Sequence, residues 1–266
     1  MARPIRSAFP FFALVYLLTL PWWALSRFVT FDGLPDNLPI TDIGATFMPA
    51  LAALILVFRD SGTSGVKVTL ARVLDWRKIK NRRWLLVVLL LPLAQYALTY
   101  LVMRAAGLPV PAYLALTPAL ALAFPAFLLA AAGEELGYTG YATDLLQQRH
   151  SALASALIIG VPWALWHLPS MIQIGQAPGL IAWGLLATVA FRVIYVWLYS
   201  NAGRSLFAII LFHAVANTGR TAFPGGRAAF ELDNGAIGYA IVICFAVVLA
   251  LVYGHKTLTR LVGGGG

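Results

Sequence analysis

From Phe9 to Tyr253 one pattern repeats along the chain: an apolar run close to the roughly 20 residues that cross a bilayer's hydrocarbon core, then a polar, Pro- or Gly-containing break. A run of that length in lipid is a helix, so the pattern predicts spans near residues 8–26, 39–58, 84–103, 117–146, 152–168, 179–199, 205–219 and 236–253. The expected fold is all-α: a polytopic transmembrane helical bundle of about eight spans, forming a single membrane-embedded domain over residues 1–266. Composition agrees, since 61% of the residues are hydrophobic and only 11% charged, against about 25% charged in soluble proteins. The first run follows Arg3 and Arg6 in the manner of a signal peptide, but Pro21, Trp22 and Trp23 suit a membrane interface better than a small-residue cleavage site. The fourth run is too long for a simple crossing, about 45 Å as continuous helix, and is expected to tilt, emerge or bend near Pro125.

Charge tests the count. Of the 19 Lys and Arg residues, fourteen fall on alternate breaks and the ends: Arg3, Arg6, Arg59, Lys67, Arg72, Arg77, Lys78, Lys80, Arg82, Arg83, Arg149, Arg204, Lys256 and Arg260. Four (Arg27, Arg104, Arg220, Arg227) fall on the intervening breaks, and Arg192 lies inside a span. The positive-inside rule then places both termini in the cytoplasm, with a bacterial plasma membrane as the expected location. The net charge of +9 thus reads as topology and attraction to anionic lipid, and nucleic acid is not an expected partner. Between Arg59 and Trp84, Val66, Leu70, Val73 and Leu74 recur at helical spacing among basic residues, the pattern of an interfacial helix facing lipid. The single cysteine, Cys244, leaves no intramolecular disulfide, and the Gly263–Gly266 end reads as a flexible tail.

Against this background a few polar residues stand out. Glu134 and Glu135 are adjacent inside Leu129-Ala-Ala-Ala-Gly-Glu-Glu-Leu-Gly, and a carboxylate at the centre of a span costs at least about 2.5 kcal/mol, so it is expected to face a cavity or a partner. Gly133, Gly137 and Gly140 read as a small face for close helix packing. His167 and His213 also lie in apolar runs, with Asn217 one turn after His213 on the same face, whereas His150 and His255 fall in cytoplasmic segments and are expected to be solvated. A carboxylate as general base, imidazoles to move a proton and an amide to hold an oxyanion are the parts that activate water against a carbonyl, and peptide hydrolysis fits them. No Gly-x-Ser-x-Gly and no His-Glu-x-x-His occurs. Glu134, His167 and His213 could equally supply a His₂-carboxylate site for a divalent metal such as zinc, and the residues do not choose between metal-bound and directly activated water.

At these positions the chain resembles the CAAX prenyl protease and bacteriocin-processing (CPBP) family, which includes type II CAAX prenyl endopeptidases and bacterial Abi proteins. The family's Glu-Glu-x-x-x-Arg, aromatic-x-x-x-His and His-x-x-x-Asn motifs read here Glu134-Glu135-Leu-Gly-Tyr-Thr139, Trp163-Ala-Leu-Trp-His167 and His213-Ala-Val-Ala-Asn217, in that order, within a core of about residues 115–220. The resemblance implies an intramembrane endopeptidase in which Glu134 is the base for water, His167 assists, and His213 and Asn217 stabilise the oxyanion, acting on a membrane-associated peptide or protein. The departure is Thr139, where the family usually has Arg, although part of the family reads Gly-Tyr/Trp-Thr-Gly here. Without that Arg, Glu135 must be neutral or find another cation, and Arg192 is the intramembrane candidate. A catalytically silent scaffold or bacteriocin-immunity protein is the alternative from a different class, and a proton or ion transporter a third.

Overall fold

The computed structural model describes residues 7–25, 28–29, 40–231 and 236–259. Arg3, Arg6, Arg27, Arg260 and the glycine tail lie outside the described residues. The described chain is entirely helical: α1 (Phe9–Leu25), α2 (Ile40–Ala45), α3 (Met48–Ala71), α4 (Arg83–Ala105), α5 (Pro118–Gly137), α6 (Asp144–Leu146), α7 (Ala152–Gln173), α8 (Pro178–Asn201), α9 (Leu206–Thr221), α10 (Gly226–Glu231) and α11 (Ile237–Tyr253).

Each start carries a local reason. Pro118 and Pro178 open α5 and α8, where a missing N–H costs nothing. Ser151 and Ser205 cap α7 and α9 by accepting the N–H groups of Ala154 and Ala208. Gly62 breaks α3 with φ 61° and ψ −158°, a conformation open in practice only to glycine. The helix enters the bundle as residues 48–61, then turns at Gly62 so that the basic stretch beyond runs in a new direction.

Five apolar stretches are long enough to cross a membrane: Asp42–Leu74, Arg83–Ala105, Leu120–Leu146, Ala152–Gln173 and Pro178–Asn201. α1 and α11 are apolar but 17 residues long, and α9 has 16. The fold is therefore all-α with five clear candidate spans among the described residues, fewer than the about eight expected from the apolar runs. The expected spans that fall short are the three shortest, α1, α9 and α11, and α9, enclosed by other helices along most of its length and carrying His213 and Arg220, need not be apolar throughout.

α8 and α9 form the centre. Residues Arg192 to Tyr199 of α8 are buried without interruption, as are Ala208 to Ile210 and Phe212 to Ala214 of α9. Around them α7 packs on α8, α5 on α9, α11 on α8, α3 on α5 and α4 on α9. Large apolar side chains turn outward on the periphery, among them Leu122, Leu129, Leu101, Leu186 and Leu251, as lipid-facing surface requires.

The long fourth run is not interrupted at its proline. α5 continues through Pro125 and ends at Gly137, and the irregularity follows in a wide π turn, Tyr138–Thr143, before α6. The glycines upstream account for the close approach. A Cβ on Gly133 would strike the backbone of Thr46 and Phe47, and one on Gly137 the carbonyl of Pro49, so α5 and the start of α3 touch backbone to backbone; Gly140 faces Leu206 more loosely.

Candidate active site

Successive residues on an α-helix point about 100° apart, so the paired glutamates at the end of α5 face different neighbours. Glu134 accepts the indole N–H of Trp163 at Oε2 (2.8 Å) and the Thr46 hydroxyl at Oε1 (3.1 Å). His167 Nε2 lies 3.9 Å from the same Oε2, too far for a direct hydrogen bond. Trp163 and His167 are four residues apart on α7 and so share a face, their rings meeting edge-on at 5.2 Å.

Glu135, wholly buried, has a charged set of partners. Arg192, reaching in from α8 and itself wholly buried, donates Nη1 to Oε2 (2.8 Å) and Nη2 to Oε1 (3.3 Å). This two-pronged pairing is what a guanidinium fork offers a carboxylate. The ring faces of Trp163, Tyr195 and Tyr138 surround the guanidinium at 4.1, 5.0 and 5.3 Å. Thr139 donates its hydroxyl to Glu135 Oε2 (2.5 Å) and accepts from Arg192 Nη1 (3.2 Å). The threonine thus bridges the ion pair from one turn below the glutamate, and the cation comes from another helix.

His213 Nδ1 sits 3.1 Å from Glu135 Oε1. Against a carboxylate already held by arginine, Nδ1 carries the proton and donates. One turn on, the Asn217 side-chain oxygen accepts Arg220 Nη2 at 2.8 Å, which fixes the sense of that amide. Glu134, Trp163, His167, His213 and Asn217 all line one cavity of about 430 Å³, whose other walls are largely aromatic and apolar, including Phe47, Phe127, Met171 and Phe191.

The structure therefore brings Glu134, His167, His213 and Asn217 to one cavity and sets Glu135, Thr139 and Arg192 behind it. The zinc set considered from the sequence is not assembled: among the described residues no three His, Cys, Asp or Glu side chains are placed to hold a metal ion, and His213 Nδ1 is turned to Glu135. His150 and His255 are exposed. One contributor escaped the sequence reading. Thr46 is an ordinary hydroxyl at the start of a run, with no spacing to mark it. Trp163 stood in the sequence as the aromatic residue of the aromatic-x-x-x-His motif, and its role as a donor to Glu134 is added by the structure.

Comparison with known proteins bears on the same stretch. Residues 115–219 match the family profile described as type II CAAX prenyl endopeptidase Rce1-like. The chain is similar to CAAX prenyl protease 2 of Methanococcus maripaludis, with 35% identity over 98 residues, 34% of this chain and 36% of that protein. The chain thus spans little more than a third of that curated relative's length. Over the part that carries Glu134, His167, His213 and Asn217, and at moderate identity, the match is at family level to the CAAX/Rce1-like (CPBP/Abi) proteases.

Proposed function

We propose that this chain is an intramembrane endopeptidase that hydrolyses a peptide bond of a membrane-associated peptide or protein with water activated by Glu134. The observation that carries the reading is the placement of the Glu134 carboxylate on the cavity wall with His167 Nε2 3.9 Å away. A water about 2.8 Å from each would see them at about 90°, close enough to tetrahedral to be held by both. Trp163 and Thr46 spend one lone pair on each Glu134 oxygen and hold the carboxylate still. Glu134 takes a proton from that water as it attacks the carbonyl, and returns it to the leaving amine.

The oxyanion then needs donors. Arg220 fixes the Asn217 oxygen, so the side-chain N–H₂ is the end available to the cavity. His213 already donates from Nδ1 to Glu135, so it supplies a second donor only as the doubly protonated ring, donating from Nε2.

An eight-crossing arrangement with both termini cytoplasmic belongs to this reading. Its support is the way loops associate. Arg72 and Arg204 meet at Asp144, Ala152 and Leu153 donate to the backbone of Lys256 and His255, and Asn201 donates to Leu258. On the other face, Ala115 donates to the carbonyl of Ala222. Loops that alternate along the chain thus gather at opposite ends, as successive crossings of one membrane-embedded unit require.

The test is Glu134→Gln in the purified, lipid-reconstituted protein, with accumulating peptides identified by mass spectrometry in cells expressing each form. Cleavage products present with the parent and lost with the variant, at unchanged thermal stability, are expected. Parental cleavage by the variant would refute the mechanism. Ion uptake into proteoliposomes lost in the same variant would favour transport. The Asn217→Ala protein should retain activity reduced by about 10² to 10³ in rate, since it loses one oxyanion donor and keeps the nucleophile.

A further inference from the structure

The basic stretch beyond the Gly62 kink reaches the ends of two of the helices that carry the site, α5 and α9. Arg72 donates Nη1 to the carbonyl of Gly140 (2.5 Å) and Nη2 to the Tyr199 hydroxyl (2.6 Å), and pairs with Asp144 (3.0 Å). Gly140 lies in the π turn that continues α5. There the i+5 bonding displaces carbonyls from their ordinary partners, and such turns cost stability unless something outside the helix supports them. Three residues later Asp75 Oδ1 accepts the backbone N–H of Phe207 (3.1 Å) and the Ser205 hydroxyl (2.9 Å), closing the first turn of α9. Between these helices the Lys78 carbonyl lies against Gly203, at φ +71°, so closely that a Cβ there would collide with it.

Glu135 is five residues before Gly140, and His213 six after Phe207. α5 and α9 pack against one another, and the Glu135–His213 contact lies within that interface. A polar tie at the helix ends adds a directional constraint that apolar packing alone does not supply. We infer that residues 72–78 form a strap that sets the spacing and tilt of α5 against α9, and that Arg72 and Asp75 are positioning residues for the hydrolysis. The inference rests on the peptidase reading for its chemical consequence, though not for the strap itself. Neither side chain lines the cavity, so both act through the helices they hold.

If the two ties were separate caps, their losses would be independent. As a strap they are coupled, and a misplacement near 1 Å at a reacting pair costs about 10²-fold in rate. The experiment compares the full chain in lipid nanodiscs as parent, Arg72→Leu, Arg72→Lys, Asp75→Ala and the Arg72→Leu/Asp75→Ala double variant. Amide exchange is read by mass spectrometry, and turnover on a fluorogenic peptide with an apolar anchor. Arg72→Leu is expected to speed exchange in residues 138–144 and also in the first turns of α9, and Asp75→Ala to do the converse. Each should lower kcat by about 10- to 100-fold with KM nearly unchanged, the double variant being no worse than the worse single one. Arg72→Lys keeps a donor for Gly140 but not the fork to Tyr199 and Asp144, and should fall between. Exchange confined to each variant's own helix, with rate losses that multiply, would overturn the strap. Coupled exchange with unchanged kcat would overturn the positioning role. If Arg72→Leu does not fold, Arg72→Lys and Asp75→Ala decide by the same criteria. If the parent cuts no peptide, the peptidase reading fails and the exchange pattern alone judges the strap.

Discussion

Replacing Arg192 by leucine removes the guanidinium from a carboxylate that has no exposed surface. What remains at Glu135 is the Thr139 hydroxyl and the His213 ring, and neither matches a guanidinium that satisfied both oxygens. Breaking a buried pair from one side costs about 3–5 kcal/mol, because the partner charge stays behind, and the aromatic box around the guanidinium loses its cation as well. At 1.36 kcal/mol per decade this is a shift of about 10² to 10⁴ in the unfolding equilibrium. The Glu135→Gln/Arg192→Leu double variant removes both charges and should recover most of the loss. Arg192→Leu/Thr139→Arg should recover part of it, since an arginine one turn after Glu135 reaches the same carboxylate. Reversible unfolding in mixed micelles, read by tryptophan fluorescence and arranged as a double-mutant cycle, gives the coupling energy directly. A coupling below about 0.5 kcal/mol, the ordinary additivity error, or an Arg192→Leu protein as stable as its parent, would refute the claim that Glu135 depends on this cation.

Two further outcomes follow from the packing and the charge pattern. Gly137→Ala places a methyl against the Pro49 carbonyl and should cost about 1–3 kcal/mol as overpacking, whereas Gly179→Ala, with nothing within 4 Å, should leave thermal unfolding unchanged or slightly raised. In a Cys244→Ser background, a membrane-impermeant thiol reagent applied outside intact cells should label Tyr113→Cys and spare Ser64→Cys, both exposed positions; the reverse pattern would sink the proposed orientation.

Helix placement was legible because lipid imposes one rule, an apolar run of fixed length, and the boundaries of α1, α4, α8 and α11 lie close to those runs. The residues around the cavity were legible for the opposite reason, since Glu134, His167 and His213 are each costly in a span. Arg192 was visible as the lone cation inside one. What sequence could not supply was geometry between helices. Glu134, His167 and His213 suit a metal by type, yet among the described residues no three such side chains are placed to hold one. Pro125 sits inside α5 without ending it, and the π irregularity comes after Gly137, where no residue type announced it. Arg72 read as one of many surface charges, although its guanidinium leaves the surface to reach the Gly140 carbonyl.

Glu134 precedes Asp144, the residue where Arg72 and Arg204 converge, by ten positions. At 1.5 Å per residue that is roughly 15 Å, about half the thickness of the hydrocarbon layer. On the proposed reading, a peptide bond cut there is presented near mid-depth, where a substrate segment would otherwise be wound into a helix with every carbonyl engaged four residues on. The reacting carbonyl must be released from that ladder before water can reach it. Cleavage should therefore favour segments that unwind at low cost, those with glycine or proline within a turn of the scissile bond, so that substrate choice turns on how readily a helix opens as well as on the side chains it presents.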